Sequence, residues 1–283
     1  MTVVVAVKVF DGIVIAADSA TTLRLPDGSS QVYNNANKIF HLHRKQPVAA
    51  ATWGLGGLGP ASTSSLAKDL RRRFMGADPE HRDWELDGAY TIRGVADRLL
   101  QMMYDELYSP LVSSGQAPQE TLGFLVAGYP PDGGNHEAEM WSVQMEDPAV
   151  RPVPQLEAGT DQMGWVAFAI HEAARRLFNG YDPSLPDQLA NVLDPALMAS
   201  VWPILQSLHR QPVPAGMPFA DAINFAQFLT DTTIGYTHYL LGPDVVGGPV
   251  EVAGISRYEG FKWVHRKHYY RPELNPESPD HVV

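Results

Sequence analysis

Residues 2–19 read TVVVAVKVFDGIVIAADS. The runs 3–10 and 13–18 are dense in β-branched residues, and Asp11-Gly12 between them is a strong hairpin signal. Nearly every position in both runs is apolar, so the pair belongs to a sheet covered on both faces. A carboxylate at the end of such a strand, Asp18, needs a partner, because charges are rarely buried unpaired. Register decides which face that carboxylate takes. An odd loop centred on Asp11 pairs Thr2 with Ala20 and Val4 with Asp18, so that Asp18 shares the face of Thr2. A two-residue Asp11-Gly12 turn would set Val5 opposite Asp18 and place it on the other face. We expect the odd loop, or a bulge with the same effect.

Working outward, Thr2 follows Met1 and is small enough for an initiator-methionine aminopeptidase to expose it. A free N-terminal threonine joins a nucleophilic hydroxyl to an α-amine of pKa about 7.7–8.0, so nucleophile and general base reside in one residue. Many chains carry a small second residue without catalytic purpose, so the surroundings must decide. Lys38, in the apolar strand NKIFHL, is the second charge that needs a partner. A structural ion pair with Asp18 would satisfy both. In the functional alternative Asp18 holds Lys38 near Thr2, where the ammonium lowers the cost of an alkoxide and keeps the amine neutral.

Residues 37–42 and 48–53 read as a second strand pair around HRKQP, so four strands precede any helix. A helix follows from 62 to 74, and Ile92, Val95, Leu99, Met102 and Met103 give the next its apolar stripe. Strands return at 121–127 and 138–143. Helices are expected at about 165–178, at 187–208 with breaks at Pro195 and Pro203, and at 219–234; strands at 249–256 and 261–266 close the chain. This order predicts an α+β fold, a four-layer αββα sandwich of two antiparallel sheets between helical layers. We expect one domain over 1–270, a helical insertion at 181–218 and a disordered tail at 271–283, RPELNPESPDHVV.

Residues 54–59, GLGGLG, fit G-x-G-x-x-G. A dinucleotide fingerprint needs a βαβ unit with an acid on the next parallel strand, about 20 residues on. The helix here is followed by GADPEHRDWELDG, which offers acids but no strand, so another use of bare backbone is expected. The net charge of −11, with no basic run beyond residues 71–73, argues against nucleic acid. The absence of cysteine excludes disulfides and thiolate chemistry and fits a cytoplasmic protein. No segment approaches the ~18 apolar residues of a membrane span. His41 and His43, and His265 and His268, lack zinc spacing, and no metal or cofactor is expected.

The N-terminal threonine, DGIVIAADSATT, the lysine of NANKIFHL and the glycine loop together resemble a proteasome-type β-subunit, an N-terminal-nucleophile (Ntn) threonine peptidase. The stretch FADAINFAQFLTDTTIGYTHYLLGPDVVGGPVEVAGISRYEGFKWV is similar to the closing helix, Gly-Gly turn and last strands of the bacterial proteasome-like branch, which includes HslV and the ancestral beta subunit group. The likeness covers residues 2–59 and 218–266. It implies Thr2 as nucleophile, Asp18 and Lys38 as charge partners, and the Gly54 amide as oxyanion donor. It further implies Thr22 as a substrate-backbone contact and Thr52 as a wall of the pocket for the residue before the scissile bond. Ala20 stands where the family usually has arginine. Thr160, in EAGTD, corresponds at best to a supporting serine, and GPDVVGG puts Val246 in another serine position with Asp244 one place from the expected aspartate. The resemblance implies a peptide or unfolded-protein substrate, a ring-like homo-oligomer and a regulatory ATPase partner. An Ntn amidohydrolase acting on a small amide, and a catalytically silent ring or scaffold protein, are the alternatives.

Overall fold

A computed structural model describes residues 2–24, 27–134 and 137–267. In chain order the strands before the first helix are β1 (Val3–Val9), β2 (Gly12–Ala17), β3 (Thr21–Arg24), β4 (Ser30–Tyr33), β5 (Ile39–His41), β6 (Val48–Gly54), β7 (Gly57–Leu58) and β8 (Ala61–Ser62). Helices α1 (Thr63–Phe74), α2 (Ile92–Leu100) and α3 (Ser109–Ser113) follow, the last two joined by wide π-helical turns over Gln101–Tyr108. Then come β9 (Leu122–Gly128), β10 (Glu139–Met145), β11 (Gln155–Ala158) and β12 (Gly164–Ala169). Helices α4 (Glu172–Asn179), α5 (Leu185–Ala190), α6 (Pro195–Leu208) and α7 (Phe219–His238) lead to β13 (Glu251–Ser256) and β14 (Gly260–His265).

Two five-stranded sheets carry the fold, ordered β12-β1-β2-β13-β14 and β11-β10-β9-β6-β5, with every pairing antiparallel. The alternation of β1 shows why its sequence is apolar throughout. Val4 and Ala6, with Ile13 and Ile15 of β2, face the second sheet, where they meet Ala49, Ala51 and Leu125. Val3, Val5, Val7 and Val9 face outward onto Ala222, Ala226 and Leu229 of α7. On the far side of the second sheet, Phe40, Phe124, Val126 and Val143 pack against Leu70 and Phe74 of α1 and Leu99 of α2. These are the four layers expected from the order of elements. Each buried valine of β1 contributes about 1.5–3 kcal/mol of transfer free energy, so the strand is an anchor for both layers it touches.

The hairpin register differs from the expectation. Val9 pairs with Gly12 and Val4 with Ala17, so the loop is the two residues Phe10 and Asp11, and it is Val3 that lies opposite Asp18. The reason is that Gly12 serves the strand, not the turn. A Cβ there would sit 2.5 Å from the Ile255 carbonyl oxygen and 2.6 Å from the Phe219 ring, so only glycine lets β13 and α7 close over β2.

Further corrections concern the strands. Eight strands, not four, precede α1, because two small ribbons, β3–β4 and β7–β8, add to the two strand pairs expected. Residues 164–169 form β12 beside β1, so the helix expected over 165–178 is confined to Glu172–Asn179. The stretch GWVAFA alternates with period two, and Ala169 at φ 59° ends it before the helical pattern of HEAARR begins. β11 was also missed. The helix expected over 187–208 is two, α5 and α6; Asp194 caps the second, accepting the Leu197 amide, while Pro203 lies within it. The expected disordered tail and His268 lie outside the described residues.

Candidate functional site

Asp18 follows the last residue of β2 and is fully buried. Its Oδ1 accepts the Val3 amide at 3.0 Å and the Lys38 ammonium at 2.6 Å. Its Oδ2 accepts the amides of Ala20 and Gly247, each at 3.0 Å. Four donors thus saturate one carboxylate, which is what lets an ionised group survive in a dry interior. Face alternation does not bring Asp18 to Lys38, since the observed register puts it opposite Val3. The chain leaves β2 after Ala17, and from there the Asp18 carboxylate meets Lys38.

Lys38 precedes β5, and its side chain is 5% exposed. Burial pushes its ammonium below the ordinary lysine range, the Asp18 carboxylate opposes that shift, and the Lys267 ammonium adds to it. Lys38 lines a cleft of about 970 Å³ together with Thr2, Thr22, Thr52 and Gly54. Thr2 itself is 2% exposed, and its carbonyl accepts the Ile170 amide at 2.9 Å, which ties the head of β1 to the end of β12. The structure therefore gathers six of the eight residues singled out from the sequence, counting Asp18 behind Lys38.

Gly54 closes β6 with φ 83°, and a Cβ there would lie 1.8 Å from the Thr121 carbonyl oxygen. Its bareness is demanded first by β9. The direction of its amide follows from strand alternation. The Thr52 amide donates to the Lys38 carbonyl, and the Leu55 amide donates the opposite way, to Thr121. Gly54 therefore aims its N–H to the same side as Thr52, beyond the start of β5 and toward the cleft. The remaining glycines open the β7–β8 ribbon, which ends at Ser62; Ser62 caps α1 by accepting the Ser65 amide. No parallel βαβ unit surrounds the loop, and the dinucleotide fingerprint is a coincidence of letters.

Thr52 turns its hydroxyl inward to the Gly123 carbonyl at 3.1 Å and so presents a wall rather than a donor. Thr22 Oγ1 is buried without a hydrogen-bond partner among the described residues. The stacked rings of Trp53 and Phe168, with centroids 4.3 Å apart, support the cleft floor and were not foreseen. Two candidates lie elsewhere. Thr160 is exposed in the β11–β12 turn, next to the Gly159 carbonyl that receives Lys8, at the other end of β1 from Thr2. Asp244 is exposed and paired with His238 at 3.0 Å, while the residue of that segment that reaches Asp18 is Gly247 through its amide. Neither is among the residues that line the cleft.

His41 and His43 have structural roles. His41 stacks on Phe261 at 4.4 Å, and burial holds its pKa down at about 4. His43 Nδ1 accepts the amides of Lys45 and Gln46, which requires a neutral ring with its proton on Nε2. Among the described residues no group of three or more His, Asp or Glu side chains could hold a metal ion, and no helix is long and apolar enough to cross a membrane.

The order of the sheets and the helical layer on each outer face define a four-layer αββα sandwich with a cleft at the head of β1. Among solved structures the chain is similar to Anbu, the ancestral beta-subunit, from Yersinia bercovieri. The alignment covers 94% of this chain and 88% of that one, with 15% identity and a TM-score of 0.54. At that identity the likeness gives the proteasome-like fold. No family model matches the chain, and no curated protein matches it in sequence.

Proposed function

We propose that the protein is a threonine-type endopeptidase whose nucleophile is Thr2 after removal of Met1. The observation that carries this reading is the Asp18–Lys38 pair, whose carboxylate is saturated and whose ammonium stands on the wall of the cleft that Thr2 lines. The free Thr2 amine takes the hydroxyl proton as Oγ attacks the scissile carbonyl. The Lys38 charge stabilises the developing alkoxide and disfavours a second cation on the amine. The Gly54 amide receives the tetrahedral oxyanion. The amine then protonates the departing amine, and water hydrolyses the Thr2 ester by the same proton path.

The cleft lies between the β3–β4 ribbon, with Thr21 and Thr22, and the glycine loop from 54 to 57. An extended chain threads such a groove, which favours a peptide or unfolded protein over a small amide. Sequestration of the cleft in a ring-like homo-oligomer, with a regulatory ATPase feeding it in the cytoplasm, belongs to the same proposal. Intact mass before and after a covalent threonine-directed inhibitor is the test. Loss of Met1 and one adduct on Thr2 are expected; retained Met1 on all molecules, or processed protein without adduct, would end the reading. Light scattering checks the assembly.

A further inference from the structure

Behind the Asp18–Lys38 pair lies a second buried pair. The side chains of Glu251 and Lys267 are 2% and 8% exposed, and their Nζ–Oε2 separation is 3.4 Å. Lys267 Nζ also donates to Ser19 Oγ and to the Ala36 carbonyl, each at 2.6 Å. Ser19 Oγ in turn donates to the Pro249 carbonyl at 2.5 Å, and the Ala36 amide donates to the Ser19 carbonyl at 2.9 Å.

These contacts have a common target. Ser19 is the neighbour of Asp18, Ala36 lies two residues before Lys38, and Glu251 sits opposite Ala17, the last residue before Asp18. One ammonium therefore clamps every segment that delivers the pair to the cleft. The surface offers easier places for four charges, and nine-tenths burial of all four side chains is costly unless the arrangement is held closely. The two carboxylates and two ammoniums balance in number, so the cluster carries no net formal charge.

We propose that Glu251 and Lys267 are positioning residues for Asp18 and Lys38, fixing the place of the Lys38 ammonium on the cleft wall. The inference rests on the reading of Thr2 as nucleophile for its catalytic consequence. The charged groups facing Lys38 are Asp18 after β2, Glu251 on β13 and Lys267 after β14, together with the Thr2 amine once it is free. Asp18 and Glu251 favour the protonated lysine and Lys267 opposes it, in addition to the burial that lowers it most.

Two measurements on the full chain test the proposal. In the first, the rate of Thr2 acylation is followed by intact mass across pH for wild type, Lys267→Met, Lys267→Arg and Glu251→Gln. Lys267→Met should slow acylation by about 10- to 100-fold at neutral pH through misplacement of the dyad. Its alkaline limb should move up by about one pH unit, and that of Glu251→Gln down by a similar amount, because a cation and an anion beside Lys38 are removed respectively. Lys267→Arg should restore most of the rate and the wild-type limb. A merely structural pair would lower the rate and the melting temperature without moving the limbs apart.

In the second, the Lys38 titration is followed by its ¹³Cε shift, assigned by its loss in Lys38→Met. It should move up in Lys267→Met and down in Glu251→Gln even in protein that acylates nothing. Coincident titrations in folded variants would overturn the inference. Shifted titrations in a protein that never forms an adduct would instead uphold it and overturn the peptidase reading.

Discussion

The two ends of β1 each bury a lysine between the sheets and their flanking loops, and they neutralise it differently. At the Thr2 end, Lys38 meets a carboxylate that is itself saturated by three backbone amides. At the other end, Lys8 is fully buried, and its ammonium donates to the Ala138 and Gly159 carbonyls at 2.5 and 2.6 Å. Burial lowers its pKa to about 8, against the charges of Asp161 and Glu139. Its two carbonyl partners staple two loops to β1, whereas Lys38 bonds directly to the Asp18 carboxylate. That fixed carboxylate opposes the burial that lowers the pKa of Lys38 and fixes its ammonium beside an open cleft. The difference teaches that burial of a lysine is not itself a functional sign; what it faces and what lies open beside it decide.

The comparison breaks most visibly at Lys38. Lys38→Met should cut Thr2 acylation by about 10²–10³-fold, the scale of losing one preorganised charge-stabilising group. It should also cost about 3 kcal/mol in denaturant unfolding, at the low end for a broken buried pair because Asp18 keeps its amides. Acylation at the wild-type rate would reduce this end to another staple.

Gly54→Ala comes next, at about 3 kcal/mol or more by the same unfolding measurement. Its φ of 83° and the 1.8 Å approach to Thr121 leave no room for a methyl unless β9 shifts. An unchanged midpoint would show that the loop relaxes freely and would remove the fixed oxyanion donor from the mechanism.

Lys8→Met should leave acylation unchanged and destabilise at pH 7 by about 1–3 kcal/mol, because two buried carbonyls lose their donor. It also carries a pH signature. The folded-state pKa of about 8 lies below the unfolded 10.5, so between these values the unfolded chain binds more protons and stability rises with pH. That rise, at most about 3 kcal/mol, begins near pH 8 in the wild type and should be missing in the variant. It is read below pH 10, before Tyr90 and Tyr129, whose folded pKa values near 12 make stability fall again, begin to titrate in the unfolded chain. Parallel stability–pH curves would refute the assignment. Smallest of all, Thr52→Val removes one hydrogen bond to Gly123 and should cost about 1 kcal/mol with little change in acylation.

Asp18 and Lys38 stood out in the sequence because each is a charge set among apolar strand residues, whereas Gly54 was picked out of its glycine loop by the resemblance alone. The register of the first hairpin was not legible. Gly12 looks like a turn residue until β13 and Phe219 are seen lying on it. β12 was hidden because its period-two stretch runs directly into a helical one. Glu251 and Lys267 could not be found from spacing, since the contacts of Lys267 to Ser19 and Ala36 span more than two hundred residues and only the folded sheet brings them together. The same holds for Gly247, which serves through its amide and leaves no side-chain trace.

The sheet order places β13, made near residue 251, directly beside β2, made near residue 12, and Lys267 then locks the segments around Asp18 and Lys38. On a ribosome the first forty residues emerge long before their partners exist. At about 5–20 residues per second, the interval between residue 38 and residue 267 is roughly 10–50 s. Through that time the nascent chain holds Thr2, Asp18 and Lys38 without the Gly247 amide, Glu251 or Lys267, so under the proposed reading the site is completed only when synthesis is nearly finished.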